Sequence, residues 1–69
     1  MTTAQKIRMA LAFRNMSEAE LARALGTSPS AFNQRMKTDK FTLQELERIA
    51  KAFGAIYTAA FEFPDGTKI

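Results

Sequence analysis

Signals that start and stop helices follow one another at short intervals between Ser17 and Pro29, and few folds satisfy this spacing. Ser17 and Glu20 stand three residues apart, the spacing of a capping box, in which each side chain bonds the backbone N–H of the other residue. Gly26 is the residue type best able to take the left-handed conformation that ends a helix. Ser28 and Pro29 form a second start signal, because proline suits the first helical position. The sequence therefore predicts two short helices joined by a turn of about three to four residues, which is a helix-turn-helix.

Two further helices are expected to flank this pair. The segment from Thr3 to Arg14 carries apolar residues at helical spacing, which predicts a first helix whose apolar stripe includes Met9 and Phe13. Thr42 opens a fourth helix with another capping box, and Gly54 ends it. The Met and Phe residues along these helices are expected to form the core.

After this fourth helix the period of the apolar pattern changes from that of a helix to that of a strand. Apolar side chains then occupy every second position: Tyr57, Ala59, Phe61 and Phe63. Pro64, Asp65 and Gly66 are turn residues, so the last three residues are expected to fold back as the second arm of a hairpin. The apolar face of this hairpin either covers the helical core or pairs with the same segment of a second copy. Pairing is favoured by the low stability of an isolated two-stranded ribbon. We favour the homodimer, with these four apolar residues as the dimerisation contacts.

The chain has 69 residues and is therefore expected to form one domain. We predict a mainly α fold. Residues 1–54 form a four-helix helix-turn-helix domain, and residues 55–69 form a C-terminal β-strand or β-hairpin that extends the same domain and serves dimerisation.

Composition excludes several classes of site. The chain has no cysteine and no histidine, so it has no disulfide and no thiolate or imidazole metal site. No carboxylate pair or activated nucleophile is indicated either, and we expect no enzyme, no metal and no cofactor. No apolar run is long enough to cross a bilayer, and Lys6 and Arg8 interrupt the segment that a signal peptide would need. We therefore expect a cytoplasmic protein that does not bind membranes.

The charges are unevenly distributed along the chain. Residues 1–40 carry seven Lys or Arg and three Asp or Glu, whereas residues 41–69 carry three and four. A basic half is typical of proteins that bind a polyanion such as DNA.

The third predicted helix, from Pro29 to about Lys37, carries the polar side chains suited to reading DNA. Phe32 and Met36 lie one turn apart and are expected to face inward, which leaves the polar residues outside. Amide side chains can donate and accept together at the N6 and N7 positions of adenine, and serine hydroxyls can reach either type of group. The predicted base contacts are Ser30, Asn33 and Gln34.

Cationic and hydroxyl side chains on this helix and after it are expected to meet phosphate oxygens. The predicted phosphate contacts are Arg35, Lys37, Thr38 and Lys40, together with the cap residues Ser17 and Ser28.

The segment SEAELARALGTSPSAFNQRMK resembles the helix-turn-helix of the Cro/repressor family, also called lambda-repressor-like domains. With a preceding helix and the following LERIAKAFG, the resemblance covers about residues 4–54. It implies a four-helix lambda-repressor-like domain that binds double-stranded DNA in the major groove through its third helix. Glu18 departs from the family pattern, because many members have a glutamine there that contacts the DNA backbone.

Two functions follow from these observations. The first is sequence-specific binding of double-stranded DNA by a transcriptional regulator, a repressor acting as a homodimer. The alternative is a protein-interaction module, such as an antitoxin or an anti-regulator, that retains the helix-turn-helix fold. Glu18 and the apolar C-terminal segment favour the alternative.

Overall fold

Four helices and an irregular C-terminal segment make up the computed structural model of the protein, which describes residues 1–69. The helices are α1 (Thr3–Phe13), α2 (Glu18–Ala24), α3 (Pro29–Thr38) and α4 (Leu43–Ala52). The mainly α, four-helix prediction is confirmed, with the predicted helix starts at Ser17, Ser28 and Thr42.

Each helix begins at a serine or threonine whose hydroxyl oxygen accepts a backbone N–H of the first turn. The capping boxes predicted at Ser17 and Thr42 both form, and a third, at Thr2, was not predicted. Replacing such a cap with alanine costs a helix about 1 kcal/mol. Because each cap fixes where its helix begins, the caps also fix the lengths of the connections between helices.

The core is a single cluster of side chains contributed by all four helices and the end of α4. It consists of Ala4, Ile7, Leu11, Leu21, Ala22, Phe32, Met36, Ile49 and Phe53. Leu21 and Ala22 on α2 have no exposed surface at all. α2 packs against both α3 and α4, so contacts with α4 support the α2–α3 pair.

Met9 and Phe13 do not belong to this core, contrary to the sequence prediction. Phe13 is 83% exposed and Met9 is 59% exposed. The buried stripe of α1 passes through Ile7 and Leu11. Met9 and Phe13 each stand two residues beyond a member of that stripe, which is about 200° around a helix and places them on its far side.

The predicted C-terminal β-strand is not found, whereas the predicted fold-back of the last three residues is present. Residues 55–60 have no regular structure, and the only β feature is an isolated antiparallel bridge between Glu62 and Lys68. The chain does reverse direction at Gly66, whose N–H donates to the carbonyl oxygen of Phe63 at 2.9 Å. The returning arm exchanges backbone hydrogen bonds with Phe61 and Phe63, but a pairing this short is only marginally stable and does not form a regular strand. Every side chain from residue 54 onward is exposed, so the segment does not cover the helical core either.

Two clefts lie at the surface between helices. One, of about 300 Å³, includes Phe32 and Arg35 of α3 and Ile49 of α4. The other, of about 230 Å³, lies between α1 and α4 and is bordered by Tyr57. No helix combines the length and the apolar character needed to traverse a bilayer. No three acidic side chains converge as they would around a metal ion.

Candidate nucleic-acid interface

A connection of four residues joins α2 to α3. Gly26 takes φ +75°, and its N–H donates to the carbonyl oxygen of Arg23 at 3.0 Å. The N–H of Thr27 donates to the carbonyl oxygen of Ala22, also at 3.0 Å. These two bonds form the Schellman pattern, which satisfies the last carbonyl groups of a helix. Ser28 then caps α3, so both sides of the turn are fixed by hydrogen bonds.

α3 buries one face and presents the other to solvent. Phe32 and Met36 are buried, as predicted. The opposite face carries polar side chains at helical spacing, all of them exposed: Ser30, Asn33, Gln34 and Lys37. None of these four side chains forms a hydrogen bond or an ion pair within the chain. Their donors and acceptors are therefore free for another molecule.

Lys37 and Lys40 are the cations that stand free beside this face. Both are exposed, and neither takes part in an ion pair. Thr38 lies between them, but its hydroxyl donates to the carbonyl oxygen of Arg35 at 3.0 Å. A phosphate oxygen needs a donor, so Thr38 must release this bond before it can donate to DNA.

Arg35 is committed to contacts within the chain. Its Nη2 donates to the carbonyl oxygen of Lys40 at 2.7 Å and forms an ion pair with Glu45 of α4. Its guanidinium also lies 5.7 Å from the centre of the Phe41 ring. The Thr42 N–H bonded to Glu45, together with the nearby guanidinium, lowers the pKa of the Glu45 carboxyl below its ordinary value. Arg35 is therefore less available to a phosphate than either lysine.

The cap serines retain a free donor. The Oγ of Ser17 accepts from the Glu20 N–H at 3.0 Å, and the Oγ of Ser28 accepts from the Ala31 N–H at 3.1 Å. A hydroxyl that accepts one bond still has its own hydrogen to donate. Both residues are exposed at the first turns of α2 and α3, where helix N-termini favour anions.

The turn, the free polar face of α3 and the two free lysines together match one known kind of domain. The chain matches the family model of the Cro/C1-type HTH DNA-binding domain over residues 6–55. The chain belongs to this family. It is accordingly a DNA-binding domain of the helix-turn-helix class, and the predicted family resemblance is confirmed. No curated protein and no solved structure matches the chain significantly.

Asp39 is a functional candidate in this Cro/C1-type domain that the sequence did not reveal. Its Oδ1 accepts the N–H of Ala4 at 2.6 Å, which ties the loop after α3 to the start of α1. The partners stand 35 residues apart in the chain. The only local signal was an aspartate directly after a helix, a residue type that tolerates a positive φ.

Glu18 opens α2 of the Cro/C1-type domain next to the cap Ser17. Glu18 as a whole is partly exposed, but its Oε1 atom is buried and has no hydrogen-bond partner. A carboxylate here opposes binding of a phosphate near Ser17, because like charges repel. The helix N-terminus offsets part of this negative charge.

The residues predicted for dimerisation lie in the exposed C-terminal segment and not with the polar face of α3. Among the three aromatic residues, Tyr57 is the least exposed, at 38%, and it borders the cleft between α1 and α4. Phe61 and Phe63 are more exposed, and Ala59 is exposed as well. The family match ends at residue 55 and so does not include these four residues.

Proposed function

We propose that this Cro/C1-type domain is a sequence-specific transcriptional regulator that represses by occupying its operator. The observation that carries the proposal is the face of α3, where exposed amide, hydroxyl and ammonium groups have no partner within the chain. In a helix-turn-helix, the second helix enters the major groove of DNA.

Base selection is assigned to the exposed face of α3. Asn33 and Gln34 offer amides that can bond the N6 and N7 positions of adenine in a bidentate manner, and Ser30 offers a hydroxyl. A good bidentate pair discriminates against a wrong base by about 1–3 kcal/mol. These three side chains therefore set which operator is chosen.

Phosphate contacts are assigned in order of availability. Lys37 and Lys40 rank first, because their ammonium groups have no partner. Ser17 and Ser28 rank next, since each keeps a free hydroxyl donor at a helix N-terminus. Thr38 and Arg35 contribute only by exchanging the bonds that they make within the chain.

The regulator is proposed to act as a homodimer through its C-terminal segment. Tyr57, Ala59, Phe61 and Phe63 expose apolar surface that a second copy can bury, although the segment forms no strand of its own. A two-fold dimer matches the palindromic half-sites that helix-turn-helix proteins commonly bind.

In vitro selection from random duplexes, with the mass of the complex measured by light scattering, tests this proposal. We expect a palindromic consensus, two chains per duplex, and binding that weakens steeply as salt rises, because bound cations are released from DNA. The absence of binding to any selected duplex at low salt would overturn the proposed function.

A protein-interaction module is the second candidate, and two observations favour it. Glu18 places an acid where a phosphate would lie, and the C-terminal segment exposes aromatic surface. Replacing Lys37 and Lys40 with glutamate separates the candidates, since it should abolish DNA binding and leave a protein partner's affinity largely intact. The matched control replaces Lys6 and Lys51, two exposed lysines on α1 and α4 that form no ion pair, with glutamate. Equal losses in the two double variants would show that only net charge matters.

A further inference from the structure

Asp39 sits at the point where three parts of the domain meet. It follows the last residue of α3 and takes the left-handed conformation, with φ 56° and ψ 27°. Its own N–H donates to the carbonyl oxygen of Arg35 at 3.0 Å, which closes α3. Its side chain turns away from α3 and accepts the N–H of Ala4 in the first turn of α1, in a partly buried contact. The residue therefore ends one helix and caps another.

The segment beside Asp39 has a second tie, to α4. The carbonyl oxygen of Lys40 accepts from Arg35, and Arg35 is in turn paired with Glu45. Two contacts thus fix the backbone between Thr38 and Lys40. The Asp39 side chain bonds it to α1, and the Lys40 carbonyl connects it to α4 through Arg35. The side chains of Lys37, Thr38 and Lys40 project from this held backbone and remain exposed.

We propose that Asp39 is a positioning residue for DNA binding, whose contact with Ala4 raises the affinity of the domain for a polyanion although its negative charge opposes that binding. This inference rests on the proposed function, because it concerns how the phosphate contacts assigned above are held. Fixing the backbone in advance reduces the ordering that binding would otherwise require of Lys37, Thr38 and Lys40. The carboxylate lies at the N-terminus of α1, where the helix dipole and the Ala4 N–H offset its negative charge.

Simple electrostatics predicts the opposite sign. An acid one residue from Lys40 should repel phosphates, so removing it should strengthen binding whatever replaces it. A role confined to stability predicts that removal lowers the melting temperature and leaves the affinity of the folded protein unchanged. The three accounts differ in measurable ways.

Three substitutions at one position separate these accounts. Asp39→Asn removes the charge and keeps both an oxygen acceptor for Ala4 and tolerance of the left-handed conformation. Asp39→Gly keeps the backbone conformation accessible and removes the acceptor. Asp39→Ala removes the acceptor and also disfavours the conformation. Glu47→Gln, at an exposed position on α4 without an ion pair, controls for the change in net charge.

The experiment titrates each full-length variant with the duplex selected for the wild type, at fixed salt, and measures its thermal unfolding separately. We expect D39A and D39G to bind about three- to tenfold more weakly, the loss that follows from ordering one or two extra side chains on binding. D39N should bind at least as tightly as the wild type, because it keeps the contact and loses a negative charge. Affinities are compared below the melting temperature of the least stable variant, and if D39A is unfolded there, D39G against D39N gives the same test.

Several results would overturn the inference. If all three Asp39 variants bound DNA more tightly, to the same extent as E47Q, the loss of one negative charge would explain the whole effect. Equal affinity of D39G and D39N would show that the Ala4 contact positions nothing. Weaker binding by D39N, which keeps an acceptor, than by D39G, which has none, would show that the contact does not raise the affinity. A wild-type protein that binds no duplex would instead overturn the proposed function, and the inference with it.

Discussion

The α2–α3 segment and the C-terminal segment both carry large apolar side chains, but they place them in opposite surroundings. In the first, Leu21 has no exposed surface and Phe32 is 4% exposed. In the second, Ile56 is 88% exposed and Phe61 is 76% exposed. The first segment lies against α4 and shares one core with all four helices, whereas no side chain of the second belongs to that core. The difference shows that the helices bury the apolar side chains that stabilise the fold, whereas the C-terminal segment leaves its apolar surface exposed.

The largest expected effect comes from truncating one apolar side chain in each region. Leu21→Ala removes a fully buried side chain and should lower the free energy of unfolding by about 2–5 kcal/mol, a large part of what so small a domain can have. Phe61→Ala should change it by about 0.5 kcal/mol or less when the protein is dilute, since it removes no internal contact. Chemical denaturation measures both values. Comparable losses of unfolding free energy in the two variants would show that the two regions contribute equally to stability.

The second prediction tests whether the exposed C-terminal segment, unlike the buried α2–α3 segment, mediates association of two copies. Replacing both Phe61 and Phe63 with serine should raise the dissociation constant of the homodimer at least about tenfold, because burial of even one phenylalanine at an interface contributes about 1.5–3 kcal/mol. Light scattering across a dilution series measures this constant, with Thr58→Ser as the control from the same segment. An unchanged dimer, or a wild-type chain that is monomeric at all concentrations, would remove the proposed role of these residues.

The third prediction concerns exposed polar groups. Asn33→Ala should cost about 1–3 kcal/mol of discrimination at one base pair of the selected duplex, while the free energy of unfolding stays nearly constant. Gln44→Ala removes an exposed amide from α4 and should alter neither quantity. Titration with the consensus and with single-base variants reports the discrimination. Equal selectivity in wild type and N33A would exclude Asn33 as a base contact.

The smallest expected effect is a pH dependence at Glu45, whose folded-state pKa lies below the ordinary value of 4.5. A lowered pKa means that the ionised carboxyl stabilises the fold above that ordinary value and that this contribution is lost as the pH falls through the folded-state pKa. Because the pair with Arg35 is partly exposed, the loss should be about 1 kcal/mol or less. Unfolding measured between neutral and acidic pH should show a smaller decline in Glu45→Gln than in the wild type. A parallel decline in both proteins would contradict this assignment.

Local signals predicted the helices well because each acts within a few residues. Ser17, Ser28 and Thr42 form caps with neighbours three residues away, and Gly26 ends α2 through bonds within one turn. The absence of a C-terminal strand and the exposure of Phe13 could not be predicted in this way, because both depend on which partner surface is present. The contacts of Asp39 and Arg35 were missed for the same reason, since they join segments that only the folded chain brings together.

The same limit applies to the candidate site. Position on α3 predicted which side chains face outward, because helical periodicity fixes that directly. It did not show that Thr38 and Arg35 use their donors within the chain whereas Lys37 and Lys40 do not. Exposure follows from the sequence pattern, but availability depends on the neighbours that each side chain meets.

The complete burial of Ala22 has a genetic consequence. α2 leaves room there for one methyl group, and adding two more in Ala22→Val would overpack the site at a cost of about 1–3 kcal/mol. Such an allele would keep every group on the face of α3 and yet lose its fold at a lower temperature than the parent. A random search for heat-sensitive mutants of this protein should therefore recover Ala22 before any residue on the face of α3.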